Sequence, residues 1–339
     1  MMFCHEEDGR LVRSCCGERL MIEAWGTDAL RVRCTHEADF QDQDWALTQD
    51  VRENNHPQIW IEEKEARIQN GRMIARINAE GWVSFEDVRH GEILCEYWRD
   101  REDVQRYCVP LYIKAREMKP HPGHGDYKLT ARFEANAKER IYGMGQYQDM
   151  ALNKKGAILE LAQRHTQASV PFYLSNLGYG FLWNNPAIGR VTFGTNRTEW
   201  EADSTCEMDY WICTGDTPAE SVEKYTAVTG RPPMMPDYGM GYWQCRLRYR
   251  TQQELLDVVH RHKELGLPLD VIVADFFHWT MQGEYRFDPQ SWPDIPGMIQ
   301  ELKSVGVELL VHIWPRVDTR SESFQELWNT GNWVRDDGG

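Results

Sequence analysis

A carboxylate and an indole each follow an apolar run in the last third of the chain. Asp275 comes directly after residues 269–274, and Trp314 comes directly after residues 308–313. In α/β enzymes the chemistry is placed at the carboxyl ends of parallel strands. A carboxylate there can accept two sugar hydroxyl groups at once, and an indole offers an apolar face. This segment therefore predicts a parallel sheet together with a site suited to holding a sugar.

The residues around these two positions alternate between strand and helix patterns. Thr251 and Glu254 form a capping box that opens one helix, Asp294 can cap a second helix, and Ser321 begins a third. Strands are predicted at residues 238–243, 271–276 and 308–314. Alternation of this kind predicts a run of βα units and hence a parallel sheet.

The first two thirds of the chain have a different pattern, with short alternating runs separated by polar turns from residue 11 to about residue 214. Residues 66–69 and 73–77 flank an Asn70-Gly71 pair, which is a strong hairpin signal. Many such strands in succession indicate a β-sandwich. The fold class predicted for the whole chain is therefore a β-sandwich followed by part of a (β/α)8 barrel.

A proline-rich segment separates the two patterns. Thr217 begins a helix with proline at its first position, and that helix can run to Gly230. Residues 231–236 include three prolines and cannot continue a helix or join a central strand. We therefore predict a sandwich domain over residues 1–230, a linker over 231–236 and the start of a barrel over 237–339.

The length after the linker limits how much of a barrel this chain can hold. A complete eightfold barrel needs roughly 250 residues, or about 30 for each βα unit. The stretch from residue 237 to Gly339 has room for about three units. Three parallel strands alone would leave backbone groups and apolar surface uncovered. We therefore expect the chain to be the N-terminal part of a longer protein.

Composition excludes several classes of partner. The net charge is −15, whereas nucleic acids and anionic membranes are held by basic patches.

The start of the chain lacks the basic and apolar pattern of a signal peptide, and the uncharged stretch at 170–189 reads as a hairpin rather than a membrane span. Nine scattered cysteines do not suggest a disulfide framework. We predict reduced thiols and a cytoplasmic location.

Several ordered motifs resemble a known enzyme family. Four segments of this chain resemble the opening of the catalytic barrel in glycoside hydrolase family 31. They are residues 239–246, 268–275, 287–294 and 311–315. The N-terminal sandwich of that family is similar to residues 141–146 and 170–180. The resemblance implies a retaining α-glycosidase with a β-sandwich before its barrel.

Retaining hydrolysis needs two carboxyl groups roughly 5 Å apart, a nucleophile and an acid/base. In the family both are aspartates on later barrel strands. By the strand count, both positions lie beyond Gly339, so the resemblance implies no catalytic residue in this chain. The chain alone is expected to be inactive.

The resemblance does imply sugar-binding roles. Asp275 matches an aspartate that hydrogen-bonds the hydroxyl groups of the cleaved sugar, and Trp314 matches a tryptophan that lines the same pocket. In the family, the residue at the position of Phe276 lies near the C5 substituent of the sugar. The bulk of Phe276 would crowd the exocyclic hydroxymethyl group of glucose, which favours xylose. His278 and Trp279 follow on the same loop and either contact the sugar or aglycone or pack beneath the loop.

Arg246 either lines the pocket or pairs with an acidic side chain. No metal site and no organic cofactor is predicted, because the histidine pairs lack a convincing set of further ligands. The expected partner is an oligosaccharide substrate, and homo-oligomerisation is left open. The alternative function is a non-catalytic carbohydrate-binding or assembly fragment built on the sandwich.

Overall fold

The computed structural model describes residues 4–41, 43–48, 51, 56–98 and 113–334. The chain divides into two compact units, Met1–Arg231 and Pro232–Gly339. The domain limits predicted from the sequence remain a prediction, and each unit is described by itself.

The first unit is built from antiparallel strands. In chain order they are β1 (Cys4–Glu7), β2 (Arg10–Cys15), β3 (Glu18–Ala24), β4 (Ala29–Thr35), β5 (Gln58–Ile61), β6 (Glu65–Asn70), β7 (Met73–Asn78), β8 (Val83–Asp87), β9 (Gly91–Cys95), β10 (Arg116–Pro120), β11 (Tyr127–Glu134), β12 (Ile141–Gln146), β13 (Ile158–Leu161), β14 (Ala168–Ser175), β15 (Tyr179–Trp183), β16 (Gly189–Phe193), β17 (Arg197–Thr205) and β18 (Glu207–Thr214). One sheet has eight strands in the order β1-β2-β3-β4-β18-β15-β14-β12. Two five-stranded sheets have the orders β5-β6-β7-β8-β9 and β10-β11-β17-β16-β13.

The eight-stranded sheet forms one layer, and the two five-stranded sheets form the other. Aromatic side chains meet between the layers: the ring centroids of Phe85 and Tyr210 are 6.1 Å apart, and those of Trp183 and Trp200 are 5.4 Å apart. A single β-bridge, from Glu96 to Phe133, connects the two five-stranded sheets among the described residues. The predicted β-sandwich is confirmed, and the structure adds that its second layer is split.

Local turn signals are also confirmed. Strands β6 and β7 pair antiparallel around Gly71, whose φ of 58° is a conformation that glycine adopts without strain. The uncharged stretch at 170–189 forms the β14–β15 hairpin. Helix α1 (Pro218–Thr229) begins where predicted, with the Thr217 side chain accepting a hydrogen bond from the Glu220 backbone N–H.

Strands β4 and β18 are buried on both faces, although one of those faces carries charged side chains. Arg31 donates to both carboxylate oxygens of Asp209, at 3.1 and 2.7 Å, and each of these side chains is only 1% exposed. Asp44 lies in the segment that covers these strands, and its Oδ1 accepts a hydrogen bond from Arg31 Nη1 at 2.6 Å. A second buried pair joins Arg33 and Glu207 at 2.9 Å. These ion pairs allow charged residues to occupy positions that water cannot reach.

The second unit alternates strands and helices. Its elements are β19 (Trp243–Cys245), α2 (Gln252–Glu264), β20 (Val271–Ala274), α3 (Ile295–Ser304), β21 (Glu308–Val311) and α4 (Glu322–Thr330). The three strands form a parallel sheet in the order β19-β20-β21. The predicted run of βα units, and with it the partial barrel, is confirmed.

Side-chain caps begin two of these helices as predicted. Thr251 accepts from the Glu254 backbone N–H at 3.1 Å, and Asp294 accepts from the Gly297 N–H at 2.9 Å. Both helices pack on the sheet through one buried cluster, which contains Leu255, Val259, Ile272, Ala274, Met298 and Leu302. Within the described ranges, no helix is long and apolar enough to cross a membrane.

The prediction of a strand at residues 238–243 is wrong. Residues Asp237–Met240 form a turn of 3₁₀ helix, and β19 begins at Trp243. The Asp270 carboxylate accepts from the Tyr242 N–H, and a Cβ atom at Gly241 would lie 2.2 Å from that carboxyl group. Local hydrogen bonds from the Gly239 N–H to the Pro236 carbonyl and from the Gly241 N–H to the Tyr238 carbonyl close the 3₁₀ turn. The other two predicted strands end earlier than expected, at Ala274 and Val311.

We predict that Asp209→Ala destabilises the first unit strongly, because it leaves the buried Arg31 guanidinium without its main counter-charge. Removing one partner of a buried ion pair typically costs about 3–5 kcal/mol. The free energy of unfolding, measured by urea titration of the first unit's transition, should fall by this amount. The control is Arg164→Ala, which removes the exposed pair with Glu160 and should leave the transition unchanged. Equal effects of the two variants would contradict the prediction.

Candidate functional site

The carboxyl ends of the three parallel strands place three polar side chains next to one another. Cys245 ends β19, Asp275 follows β20, and His312 follows β21. Cys245 is in register with Val273, and Ala274 is in register with Val311. The backbone N–H of His312 donates to the carbonyl of Ala274 at 3.0 Å. The hydrogen-bond ladder therefore fixes the relative heights of the three side chains.

Alternation along β20 decides which way Asp275 faces. Ile272 and Ala274 belong to the buried cluster that contains the helices. Val271 and Val273 lie on the opposite face of the strand, since successive side chains alternate. Asp275 continues that opposite face, so its carboxylate emerges on the side of the sheet away from the helices.

The two oxygens of the Asp275 carboxylate have different surroundings. Oδ1 accepts from His312 Nδ1 at 2.8 Å and from the Phe276 backbone N–H at 2.7 Å. Among the described residues, Oδ2 has one weak partner, the Cys245 thiol at 3.6 Å. Burial acts to raise the pKa of Asp275, but the hydrogen bonds from His312 and Phe276 outweigh it and hold the pKa below its ordinary value. The group is therefore an ionised acceptor at neutral pH.

An aromatic wall stands beside this carboxylate. The rings of Phe276 and Trp314 have centroids 4.6 Å apart and planes tilted by 47°. Phe277 packs edge-on against Phe276 at 4.1 Å, and Trp279 lies 6.1 Å from the same ring. Trp314 remains partly exposed. The wall can offer an apolar surface to one side of a ligand that the carboxylate holds.

Phe277 has a φ of 58°, which is unusual for a bulky side chain. Backbone strain of this type is found mainly where the surrounding structure holds a functional loop in place. The turn at Phe277 sends the following residues back under the loop. The loop conformation therefore separates residues that face outward from residues that support them.

His278 and Trp279 are on the supporting side, with exposures of 2% and 6%. The His278 ring packs 4.5 Å from Phe287 and 4.7 Å from Trp279, and its Nδ1 lies 3.2 Å from the carbonyl oxygen of Asp275. Burial lowers the pKa of His278 and favours the neutral imidazole. Of the two sequence alternatives, the observed burial favours packing beneath the loop over direct contact with a sugar.

Arg246 pairs with an acid. Its Nη1 lies 2.8 Å from Glu254 Oε1, at the first turn of α2, and both side chains remain accessible to solvent. Glu254 also accepts from the Arg250 backbone N–H at 2.7 Å. This ion pair favours the second of the two roles expected from the sequence.

Sequence reasoning did not select Cys245 or His312 as site residues. The signal was present in their positions, because each ends or follows a short strand that pairs in parallel with β20. Residues at equivalent ends of neighbouring parallel strands lie side by side. Applying this rule to β21 would have identified His312 as the neighbour of Asp275.

This arrangement can bind and orient hydroxyl groups. At these three strand ends Asp275 is the one carboxylate, whereas retaining glycoside hydrolysis needs two. The groups at these strand ends can therefore hold a hydroxylated ligand such as a sugar.

Two family models match the chain. Residues 19–191 match the glycosyl hydrolase 31 N-terminal galactose mutarotase-like domain. Residues 232–339 match the glycosyl hydrolases family 31 TIM-barrel domain. The two matches correspond to the sandwich pattern and the βα pattern in the sequence.

Individual proteins give the same result. An uncharacterized family 31 glucosidase, ORF2, from Pseudescherichia vulneris is 45% identical over 329 residues, which is 94% of this chain and 62% of that protein. Alpha-xylosidase A from Aspergillus niger is 32% identical over 273 residues, 78% of this chain and 36% of that enzyme. Among solved structures, a GH31 alpha-xylosidase from a soil metagenome, complexed with xylose, is 47% identical with a TM-score of 0.89. It covers 97% of this chain, and the match spans 49% of that enzyme.

We predict that Cys245 reacts slowly with alkylating reagents although it is exposed. Partial desolvation of the sulfur and the neighbouring Asp275 carboxylate raise the pKa of the thiol, so little thiolate is present at neutral pH. Asp275→Asn removes the negative charge and should raise the rate of iodoacetamide labelling at Cys245 severalfold, measured by mass spectrometry of the Cys245 peptide. The exposed Cys16 is the internal control and should label equally in both proteins. An unchanged Cys245 rate would mean that the two groups are not adjacent in solution.

Proposed function

Because the chain belongs to glycoside hydrolase family 31, we propose that it provides the sugar-holding part of a retaining α-glycosidase. The substrates are oligosaccharides with terminal α-linked xylose or glucose. One observation carries the proposal: Asp275 lies at the end of the central strand with Oδ1 filled by two donors and Oδ2 open to hydroxyl groups. The location in the cytoplasm remains a prediction from the cysteine composition.

We propose further that the catalytic aspartates belong to strands that follow Gly339 and that the 339 residues alone are inactive. The chain spans 49% of the soil metagenome enzyme and 62% of ORF2. Strand β20 is completely buried, whereas the flanking strands β19 and β21 carry exposed apolar residues such as Trp243 and Val311. Apolar surface on both edge strands is what additional barrel strands would cover.

Phe276 supports a preference for xylose. Phe277, Trp279 and Trp314 surround its ring, so the ring has little room to move aside. An exocyclic hydroxymethyl group on C5 of glucose would need that space, whereas xylose has no such group. The relatives whose names specify α-xylosidase are consistent with this preference, and ORF2 is named a glucosidase. The proposal is therefore an α-xylosidase in preference to an α-glucosidase.

The test is the ratio of kcat/KM for nitrophenyl α-xyloside to that for nitrophenyl α-glucoside in the full-length protein that carries this sequence. The wild-type protein should prefer the xyloside. Phe276→Leu should lower the ratio by about 10-fold or more, because a change of this size in an apolar pocket is worth roughly 10- to 200-fold in discrimination.

The control is Phe324→Leu, which shortens an aromatic side chain that stacks on Trp328 in α4. This variant should leave the ratio unchanged. A strong preference of the wild-type protein for the glucoside would overturn the xylose assignment, and absence of turnover on both substrates would overturn the glycosidase proposal.

A cavity in the first unit favours a second candidate function, non-catalytic carbohydrate binding. The cavity has a volume of about 590 Å³, and none of its lining residues is charged. Trp45 and Tyr225 contribute aromatic surface to the lining. Trp183 also lines it, and its buried indole N–H has no acceptor among the described residues. A neutral ligand with hydroxyl groups would suit such a cavity.

Binding of xylose to the full-length protein, measured by calorimetry, separates the two functions. The enzyme proposal predicts that Asp275→Ala weakens the binding of xylose and that Trp45→Ala does not. The second candidate predicts the reverse.

A further inference from the structure

The hydrogen bonds to Asp275 are distributed unevenly, and His312 is responsible for much of this asymmetry. A carboxylate oxygen has two lone pairs. On Oδ1 both face donors: His312 Nδ1 at 2.8 Å and the Phe276 N–H at 2.7 Å. On Oδ2 the one described partner is a thiol, which is a weak donor. Oδ2 is therefore the oxygen with the capacity to accept strong hydrogen bonds from a ligand.

We propose that His312 is a positioning residue, which fixes the rotation of the Asp275 carboxylate so that Oδ2 faces the sugar. The inference rests on the proposed function, namely that a sugar is held at this site. His312 is held in turn by its own backbone, because its N–H continues the parallel ladder through the carbonyl of Ala274. The strand register thus fixes the position of the His312 backbone, and the His312 imidazole fixes the rotation of the Asp275 carboxylate.

A purely stabilising role for the His312–Asp275 pair does not account for this geometry. The side chain of His312 is 55% exposed and that of Asp275 is 18% exposed. Even if His312 were protonated, an ion pair that solvent can reach would contribute little to stability. A short hydrogen bond to one of its two oxygens does, however, fix the orientation of the Asp275 carboxylate. Small displacements of a group that holds the substrate lower the rate of catalysis.

The geometry also assigns the tautomer of His312. An ionised carboxylate can only accept hydrogen bonds, so the proton of a neutral imidazole must be on Nδ1. A neutral histidine without such a partner is not required to carry its proton on Nδ1. The tautomer is therefore a direct, ligand-free indicator of the contact.

Variants of His312 can separate the donor from the ring. An asparagine side chain places its amide N–H near the position of Nδ1, so His312→Asn should retain the contact. His312→Ala removes the donor. Loss of a hydrogen bond to a charged group should lower kcat/KM for the aryl α-xyloside by about 10- to 100-fold, mainly through KM, because Asp275 holds the sugar both before and during reaction. His312→Asn should stay within about 3-fold of wild type.

The test combines kinetics of the full-length protein with nitrogen-15 NMR of its histidines. We expect the Nδ1–H tautomer for His312, a loss of that signature in Asp275→Ala, and no additional effect of His312→Ala on kcat/KM in the Asp275→Ala background. An Nε2–H tautomer, or equal losses from His312→Ala with and without Asp275, would overturn the positioning role. Absence of turnover by the wild-type protein would instead refute the proposed function, and the NMR result would then decide the positioning role alone.

Discussion

Parallel hydrogen bonding of the strand Val271–Ala274 to a neighbour on each side is the constraint on which the candidate site depends. The register of β20 with β19 and β21 brings Cys245, Asp275 and His312 to one edge of the sheet. A shift of one residue would turn the Asp275 side chain toward the helices, since side chains alternate along a strand. The apolar contacts of Ile272 and Ala274 with the helices oppose such a shift. The core therefore determines the site through the register.

The loop after Asp275 adds a second level of control. Phe276 donates its backbone N–H to Asp275 and places its ring in the aromatic wall. The left-handed backbone at Phe277 reverses the chain, and His278 and Trp279 then pack underneath. The carbonyl of His278 accepts from the Asp288 N–H at 2.7 Å, which ties the returning chain to the loop. Residues 275–279 thus supply both the side chains that face the candidate site and the side chains that pack beneath them.

Local signals in the sequence were sufficient for the helix starts and for the position of Asp275 after a strand. Thr251 and Asp294 cap their helices through contacts within a few residues, so a pattern in the sequence contains the whole interaction. Asp275 could be found because it ends an apolar run. His312 was not selected, because its contact with Asp275 joins residues 37 positions apart in the sequence.

Other features depended equally on contacts distant in sequence. The choice between exposure and burial for His278 depends on Phe287 and on the backbone turn at Phe277, neither of which has a clear sequence pattern. The strand predicted at residues 238–243 begins only at Trp243, directly after the Tyr242 N–H that donates to Asp270 of the next βα unit. The split in the second layer of the sandwich could not be predicted either, since alternation shows that strands exist but not which strands are neighbours.

The pairing of β4 with β18 has a consequence for the order in which the chain can fold. Arg31 and Asp209 are 178 residues apart in sequence, and the strands between them form most of the first unit. Contacts of such separation slow folding, because a long loop must close before they form. During synthesis, β4 must wait without its final neighbour until β18 has left the ribosome. The βα units that follow have their partners within about 30 to 40 residues, so the two parts of this chain should acquire structure on different timescales.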